Sequence, residues 1–533
     1  MAFNTVLVNP NTLGTYRKAK TATANLGVAI LSSYLKNRNI SQAYIIDARA
    51  EGLNPELTAD EIIKLSPNII GFSLCVESSV EWTNAVLKNI RTRLPDVHVI
   101  LGSYFPSMFP ERALSLIPEA NSIVIGEGEA TLASLVESLK KGDNWHDCRG
   151  IAFKQGDKII INKEGALIED LDTLPLLERY LCQSDGADSE AMLEGTRGCK
   201  FYCSFCAVRP FYGLSTGRSL RMRSAKSIVL EIIKLKQDFP QLNNFRFVDP
   251  DFLAPHTQVR AEEFANLMIE AKMGVDLMFD TTTSSVRRNE QLIRKLKCAG
   301  LKRIYLGVES GSPHILREMH KASNVQDNKM AISILQNLKI DYSYGFMMIT
   351  PWTTEEDILL NIKLLKDVGR IELRSLFHEL TLIPKTIAFE SASKITKLTW
   401  SGELSYYTYE TASPKIEHFR KLGKMLQSNY PVFFGFVPGF LYESIRQLYR
   451  KNFEELASPV EKKLDNIFLN IFYECWDYAN NPLSTEEKDR DKVQNIFDKY
   501  CSQLLSLLSV VDHSITPEQT RTKLPRYAPI KQI

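Results

Sequence analysis

Three cysteines in the segment TRGCKFYCSFC are well suited to bind a metal. Cys199, Cys203 and Cys206 have the spacing CxxxCxxC, whereas the other six of the nine cysteines are scattered through the 533 residues. Three thiolates on one short loop can bind three irons of a 4Fe–4S cluster and leave the fourth iron open to a substrate. Structural zinc is the alternative, but it usually draws on a second ligand pair, and the sequence offers none nearby. The spacing therefore favours a reactive iron–sulfur cluster.

This motif resembles the signature of the radical S-adenosylmethionine (SAM) superfamily, in which an aromatic residue precedes the last cysteine. Here that residue is Phe205. The resemblance covers roughly residues 191–384, and it implies that Cys199, Cys203 and Cys206 bind a cluster whose open iron binds SAM. One electron would then split SAM into methionine and a 5′-deoxyadenosyl radical, and Phe205 would lie against the adenine.

Charged and polar residues at predicted strand ends resemble further SAM contacts of this superfamily. Asp249 and Asp251, in FVDPDFL, resemble a strand end that faces the SAM amino group. Glu309 and Ser310, in LGVESGS, resemble a motif whose acid contacts the amino group or the ribose. Arg287 could neutralise the SAM carboxylate. The alternative is that the acids and the serine cap helices, and that the arginine is an exposed residue at a helix start.

Alternating strand and helix patterns predict the elements that position these residues. In residues 1–145, β-rich runs of strand length alternate with amphipathic helical patterns, which indicates a doubly wound, Rossmann-like parallel sheet. Ligands of such sheets bind beyond the carboxyl ends of the strands. The predicted strands are Thr5–Val8, Ala43–Ile46, Asn68–Phe72, Val97–Leu101 and Ser122–Ile125.

A second alternating series, over residues 186–390, predicts a partial (β/α)6 barrel. Its predicted strands are Ala191–Glu194, Asn244–Val248, Asp276–Phe279, Arg303–Val308, Tyr342–Ile349 and Ser375–Leu382. Active residues of such barrels come from the C-terminal strand ends and the loops that follow them. The cysteine motif directly follows the first of these strands.

The remaining segments complete the predicted α/β architecture. Residues 146–185 are predicted to form a β-hairpin around Gln155-Gly156-Asp157, followed by an acidic linker. Residues 391–533 are predicted to form a mainly helical domain that caps the active site and ends in an extended tail. Its predicted helices are Leu441–Leu456, Val460–Tyr478 and Lys488–Leu508.

Small residues follow the strands of the N-terminal sheet and permit close backbone approach to a large flat ring. A doubly wound sheet ahead of such a barrel resembles the cobalamin-dependent branch of the superfamily, which usually has two glycines where this chain has Gly102-Ser103. The alternative is a Rossmann-like domain that serves only as a scaffold. The resemblance implies cobalamin contacts from the loops after the third, fourth and fifth strands: Leu74, Cys75, Val76, Gly102, Ser103, Gly126, Glu127 and Gly128.

The composition excludes several classes of protein. Lys and Arg number 65 against 63 Asp and Glu, so the net charge of +2 gives no argument for binding a nucleic acid or an anionic membrane. The odd number of cysteines argues against a disulfide framework. The N-terminus has no secretory pattern and no apolar run is long enough to span a bilayer, so we expect a cytoplasmic protein.

The resemblance implies a cobalamin-dependent radical SAM methyltransferase. It would transfer a methyl group from SAM, via methylcobalamin, to an unactivated carbon of a small molecule or peptide, with an electron donor such as flavodoxin or ferredoxin. Two alternatives stay open. One is a non-methylating enzyme of the same architecture that performs a cyclisation, ring contraction or oxidation, and the other is an Fe–S binding or sensor protein without turnover.

Overall fold

The computed structural model of the chain contains two compact units. It describes residues 3–11, 25–176, 190–401, 405–436, 438–439, 441–442, 444–445, 454–481 and 484–511. Unit 1 is Met1–Leu306, Leu382–Glu390 and Thr399–Thr408, and unit 2 is Gly307–Thr381, Ser391–Leu398 and Tyr409–Ile533. The predicted tail, most of the predicted helix Leu441–Leu456 and part of the predicted linker lie outside the described residues. The predicted domain bounds stay a prediction.

Unit 1 begins with a seven-stranded sheet flanked by helices. Its strands are β1 (Asn4–Asn9), β2 (Gln42–Asp47), β3 (Ile69–Ser73), β4 (His98–Gly102), β5 (Ser122–Val124), β6 (Ile151–Gln155) and β7 (Lys158–Ile161). The helices are α1 (Leu26–Asn37), α2 (Ala48–Glu51), α3 (Pro55–Lys64), α4 (Ser79–Arg91), α5 (Tyr104–Met108), α6 (Pro110–Leu116) and α7 (Gly128–Lys141). The order is β2-β1-β3-β4-β5-β6-β7, parallel through β5 and antiparallel at β6 and β7. The five predicted strands and the predicted hairpin are confirmed.

Both faces of this sheet are covered by apolar residues. Val6 and Val8 of β1 belong to one core cluster, and Leu7 between them belongs to another. Because successive side chains of a strand point to opposite faces, two cores on alternate residues are expected of a parallel sheet with helices on both sides. The strand order reverses between β1 and β3, and the crevice beyond their carboxyl ends is the expected ligand site of such a sheet.

The rest of the chain forms a second parallel sheet and a set of helices. The strands are β8 (Glu190–Leu193), β9 (Thr196–Arg197), β10 (Arg221–Met222), β11 (Asn244–Phe247), β12 (Asp276–Thr282), β13 (Leu301–Glu309), β14 (Asp341–Phe346), β15 (Leu398–Ser401) and β16 (Tyr406–Tyr409). The helices are α8 (Val208–Tyr212), α9 (Ala225–Asp238), α10 (Gln258–Ala271), α11 (Thr283–Arg288), α12 (Glu290–Cys298), α13 (Pro313–Glu318), α14 (Val325–Asn337), α15 (Glu355–Val368), α16 (Ile387–Ala392), α17 (Pro414–Asn429), α18 (Glu454–Tyr478) and α19 (Glu486–Val511). The large sheet has the order β14-β13-β12-β11-β8. The predicted α/β class, with a helical C-terminal region, is confirmed.

The sixth predicted strand of this series, Ser375–Leu382, is much shorter than expected. Residues Leu373–Leu376 form a 3-10 turn, and the pairing that follows is an isolated parallel bridge between Ile349 and Glu379. The backbone N–H of Leu380 donates to the carbonyl of Ile349 at 2.8 Å. The apolar run is typical of a strand, but the preceding turn uses up its first residues, so only a short stretch can pair.

The helices of unit 2 pack through aromatic side chains. Phe419 of α17 contacts Phe472 and Trp476 of α18, with ring centroids 5.2 and 5.5 Å apart. The predicted start of α18 at Val460 is wrong, since the helix already includes Glu454 and contains Pro459. Among the described helices, none is long and apolar enough to cross a lipid bilayer.

A capping box begins α15 and stabilises its first turn. The side chain of Thr354 accepts a hydrogen bond from the N–H of Asp357, and the Asp357 carboxylate accepts from the N–H of Thr354 at 2.9 Å. We expect Thr354→Ala to lower the free energy of unfolding by about 1 kcal/mol, because one N-terminal N–H of the helix loses its acceptor. Urea unfolding measures this. Thr92→Ala, at an exposed position after α4, should be neutral; equal losses in both variants would contradict the capping role.

Candidate active site

The three cysteines of the motif lie on an irregular loop between β9 and α8. Cys199, Cys203 and Cys206 are all partly exposed, and the N–H of Cys206 donates to the carbonyl of Cys203 at 3.1 Å. Burial raises the pKa of the Cys199 thiol to about 11, and the nearby Cys206, Cys203 and Asp251 add to this increase. A raised pKa favours the neutral thiol, so a bound cation would be needed to stabilise the thiolate forms of these cysteines. The residues therefore fit an iron–sulfur cluster, whose irons would supply that cation.

The described residues contain no group of three or more His, Cys, Asp or Glu side chains placed to hold a metal ion. A 4Fe–4S cluster spreads its thiolate ligands over several irons. Phe205, the aromatic residue of the motif, is partly buried in the same loop. Its predicted contact with adenine stays a prediction.

Gly198, directly before the first cysteine, determines the path of the loop. Its φ is +79°, and a Cβ atom built there would lie 2.1 Å from the carbonyl oxygen of Ser219. Any larger residue would therefore clash with the backbone that leads into β10. Arg197 precedes Gly198 and pairs with Arg221 in the short β9–β10 ladder.

Asp249 and Asp251 follow β11 and differ in their surroundings. Asp249 accepts a hydrogen bond from the N–H of Gly195 at 2.7 Å and forms an ion pair with Arg260 at 3.0 Å. Asp251 accepts from the hydroxyls of Thr281 and Ser285, at 2.5 and 2.9 Å.

Burial raises the pKa of Asp251, although the hydroxyl donors oppose this shift. Both carboxylates are thus satisfied within the protein, and that of Asp251 lies near Cys199. Asp251 is not a helix cap, since Thr257 is the N-cap of α10 and Thr282 is the N-cap of α11; it accepts instead from hydroxyls at the start of α11. The predicted SAM contacts of both acids stay predictions.

The remaining predicted SAM contacts lie at two other places. Glu309, at the end of β13, has a φ of +63° and forms an ion pair with Lys321 at 3.2 Å. The Ser310 hydroxyl donates to the side-chain oxygen of Asn361 at 2.7 Å and is fully buried, as expected of a structural residue. Arg287 is exposed in the last turn of α11 rather than at a helix start.

The loops after β3 and β4 are joined by backbone hydrogen bonds. The N–H of Leu74 donates to the carbonyl of Gly102 at 2.9 Å, and the N–H of Phe105 donates to the carbonyl of Leu74 at 3.0 Å. Leu74 is buried, whereas Cys75 is exposed and Val76 is partly exposed. A Cβ atom built on Gly102 would meet nothing within 4 Å, so this position faces open space.

Ser103 occupies a backbone conformation that normally requires glycine. Its φ is +79° and its ψ is −164°, a region that is strained for any residue with a Cβ atom. We expect Ser103→Gly to raise the free energy of unfolding by about 1 kcal/mol. Ser103→Ala keeps the Cβ atom and loses the 3.3 Å contact between the Ser103 hydroxyl and the Cys75 sulfur, so it should not stabilise. Urea unfolding of the two apoproteins tests this, and a destabilised glycine variant would contradict the strain.

Two buried hydroxyl groups, those of Tyr104 and Ser215, lie near the loops that contain Gly102 and Gly126. Gly126 has a φ of +73°, and a Cβ atom built there would lie 2.6 Å from the Ser215 hydroxyl oxygen. Within the part of the chain that the structure describes, that oxygen and the hydroxyl oxygen of Tyr104 are buried without a hydrogen-bond partner. Gly128 packs near Leu31, 3.2 Å from a built Cβ atom. Buried hydroxyl groups beside glycine residues fit a corrin ring, whose amide groups would form hydrogen bonds with these hydroxyls.

Comparisons with known proteins agree with this arrangement. The radical SAM superfamily model matches residues 193–365, and the B12-binding domain model matches residues 14–136. The chain thus combines a radical SAM domain with a B12-binding domain, the architecture of a cobalamin-dependent radical SAM enzyme. Its cofactors are a 4Fe–4S cluster, SAM and cobalamin.

Relatives of the chain are named for different reactions. It is 26% identical over 419 residues to an uncharacterised methyltransferase of Pyrococcus horikoshii, covering 77% of this chain and 87% of that protein. It is 26% identical over 358 residues to the anaerobic magnesium-protoporphyrin IX monomethyl ester cyclase of Cereibacter sphaeroides, covering 62% of this chain and 54% of the cyclase. The solved structure of the cobalamin-dependent SAM radical enzyme OxsB, with aqua-cobalamin and SAM bound, shares its fold: the TM-score is 0.70 at 16% identity, covering 98% of this chain and 80% of OxsB.

A buried ionic network includes Glu127, in the loop after β5 that would bind cobalamin. Glu127 binds both terminal nitrogens of Arg221, at 3.0 and 2.9 Å, and accepts from the N–H of Ile168 at 2.8 Å. Arg197 contacts Glu127 at 3.1 Å and Glu129 at 2.7 Å. Because its carboxylate is engaged inside the protein, Glu127 shapes the loop, and its predicted contact with cobalamin stays a prediction. Neither arginine was predicted from the sequence, since nothing in the local pattern marks partners so distant along the chain.

Proposed function

We propose that the enzyme is a methyltransferase that moves a methyl group from SAM to an unactivated carbon of a small molecule or peptide. The observation that carries the proposal is that Glu127 and Glu129, after β5, form ion pairs with Arg197, which lies two residues before Cys199 in the same unit. Cobalamin would serve as the methyl carrier, and the cluster would supply the electron that cleaves SAM. Similarity to a named methyltransferase over 87% of its length supports this assignment.

The residues of the chain would bind and orient these groups. Cys199, Cys203 and Cys206 would hold the cluster. The backbone at Gly102 and Gly126 would allow the ring of cobalamin to approach, and the hydroxyls described above would hydrogen-bond its periphery. The protein thereby positions the two reactive centres and limits access of water and oxygen to them.

Anaerobic reconstitution followed by a product assay tests the proposal. A methyltransferase should form S-adenosylhomocysteine and 5′-deoxyadenosine in equal amounts, together with a methylated product. The candidate substrates are small molecules and peptides, with flavodoxin or ferredoxin supplied as electron donor. Formation of 5′-deoxyadenosine without any methylated product would contradict the proposal.

A non-methylating radical reaction is the second candidate. Similarity to the cyclase of Cereibacter sphaeroides favours it, although only 54% of the cyclase is covered. In this case 5′-deoxyadenosine would form without S-adenosylhomocysteine, so the same assay separates the two reactions. A sensor without turnover gains no support from the two relatives reported above, since both are named for enzyme activities. The electron donor and the cytoplasmic location stay predictions.

A further inference from the structure

Arg197 is held by three carboxylates that come from different parts of unit 1. Its terminal nitrogens contact Glu127 at 3.1 Å and Glu129 at 2.7 Å, and its Nε donates to Glu194 at 2.8 Å. The exposed fraction of the side chain is 5% for Arg197 and for Glu129, and 4% for Glu127. Because water scarcely reaches these groups, their geometry strongly determines their energy.

The network contains three carboxyl groups and two guanidinium groups, and burial raises the pKa of Glu194, although Arg197 opposes this shift. Glu127, Glu129 and Glu194 face two guanidinium groups, those of Arg197 and Arg221. The neighbouring carboxylates hold the pKa of Arg197 well above its usual range, although burial opposes this shift. Arg197 is therefore permanently charged, and its guanidinium group attracts each of the three carboxylates to one position in the fold.

The residues of this network lie next to the two loops that would bind the cofactors. Glu127 lies in the loop after β5 and Glu129 lies in the first turn of α7, beside the glycines that would allow cobalamin to approach. Arg197 ends β9, and Gly198 and Cys199 follow directly. One guanidinium group thus connects the cobalamin loop to the loop that would hold the cluster and, through its open iron, SAM.

We propose that Arg197 is a positioning residue that couples cobalamin binding to SAM binding. When cobalamin orders the loop after β5, it fixes the carboxylates that bind Arg197. When SAM orders the cysteine loop, it fixes the guanidinium group that binds those carboxylates. The second cofactor therefore binds to a site that is already ordered. The two cofactors therefore strengthen each other's binding, and thermodynamic linkage requires the same factor in both directions. This inference rests on the two-cofactor part of the proposed function, not on methyl transfer.

Equilibrium binding to the cluster-reconstituted, full-length enzyme tests the coupling. The Kd of labelled SAM is measured with and without hydroxocobalamin, and the Kd of hydroxocobalamin with and without SAM. We expect a factor of about tenfold in both directions for the unmodified enzyme. Arg197→Lys keeps the charge but cannot span three carboxylates, and Glu129→Gln removes one of them; both should bring the factor close to unity.

Glu231→Gln is the matched control. It breaks the buried ion pair between Glu231 and Arg223, whose side chains are 3% and 11% exposed, respectively. This pair does not include a residue of the loop after β5. Its coupling factor should stay at the unmodified value. If Arg197→Lys does not fold, the comparison of Glu129→Gln with Glu231→Gln decides the matter alone.

Three results would overturn the inference: a factor of one in the unmodified enzyme, an unchanged factor in Arg197→Lys and Glu129→Gln, or an equal loss in Glu231→Gln. An enzyme that fails to methylate but retains tenfold coupling would refute the proposed function and leave the inference standing. These outcomes are distinguishable because binding is measured without turnover.

Discussion

The Cys203→Ala variant is expected to lose SAM cleavage by at least about a thousandfold, because two thiolates on a partly exposed loop cannot retain a cluster that needs three. Iron content after anaerobic reconstitution should fall from about four atoms per chain to below one. Iron analysis, electron paramagnetic resonance of the reduced protein and quantification of 5′-deoxyadenosine check the three parts of this expectation.

A cysteine outside the motif provides the control for this loss. Cys298 is an exposed thiol at the end of α12, and Cys298→Ala should leave both iron content and 5′-deoxyadenosine formation unchanged. A Cys203→Ala protein with full iron content and full cleavage would show that the motif does not hold the cluster. Equal losses in the two variants would point to general thiol damage instead.

The Glu127→Ala variant is expected to lose about 3–5 kcal/mol of unfolding free energy. Its carboxylate, only 4% exposed, binds both terminal nitrogens of Arg221 and contacts Arg197. Removing it takes from the buried guanidinium group of Arg221 the carboxylate that it binds, takes one of three carboxylates from Arg197, and strips the N–H of Ile168 of its acceptor. Urea unfolding of the apoprotein under anaerobic conditions measures the change.

An exposed ion pair provides the comparison for this second prediction. Asp60 and Arg93 are 2.6 Å apart, and their side chains are 49% and 53% exposed. Since water screens such a pair, Asp60→Ala should scarcely change the unfolding free energy. A Glu127→Ala loss no larger than that of Asp60→Ala would mean that the buried network does not hold the loop.

Much of the fold was predictable because strands and helices depend on local patterns. The five parallel strands of the first sheet and the hairpin at residues 151–161 follow from runs of β-branched residues and from turn residues between them. The run Ser375–Leu382 has the same apolar character, yet it pairs only briefly, since the 3-10 turn at Leu373–Leu376 is not visible in hydrophobic periodicity.

The candidate site divides in the same way. The CxxxCxxC spacing and the glycine positions are local, and the sequence alone identified them. Asp249 and Asp251 are equivalent in a local pattern, because each is an acid at a strand end. Only the tertiary structure distinguishes them, by placing Arg260 against Asp249 and hydroxyls of β12 and α11 against Asp251.

By itself, the sequence determined the chemistry that the enzyme can hold: three thiols on one loop, small residues beside a doubly wound sheet, and a charge balance that argues against polyanions. The tertiary structure decided how these parts are connected. Glu129 and Arg197 are distant along the chain, and the salt bridge between them depends on how the fold places the start of α7 against β9. Local periodicity reports which face of an element is apolar, but it carries no information about which charged residues meet when those elements come together.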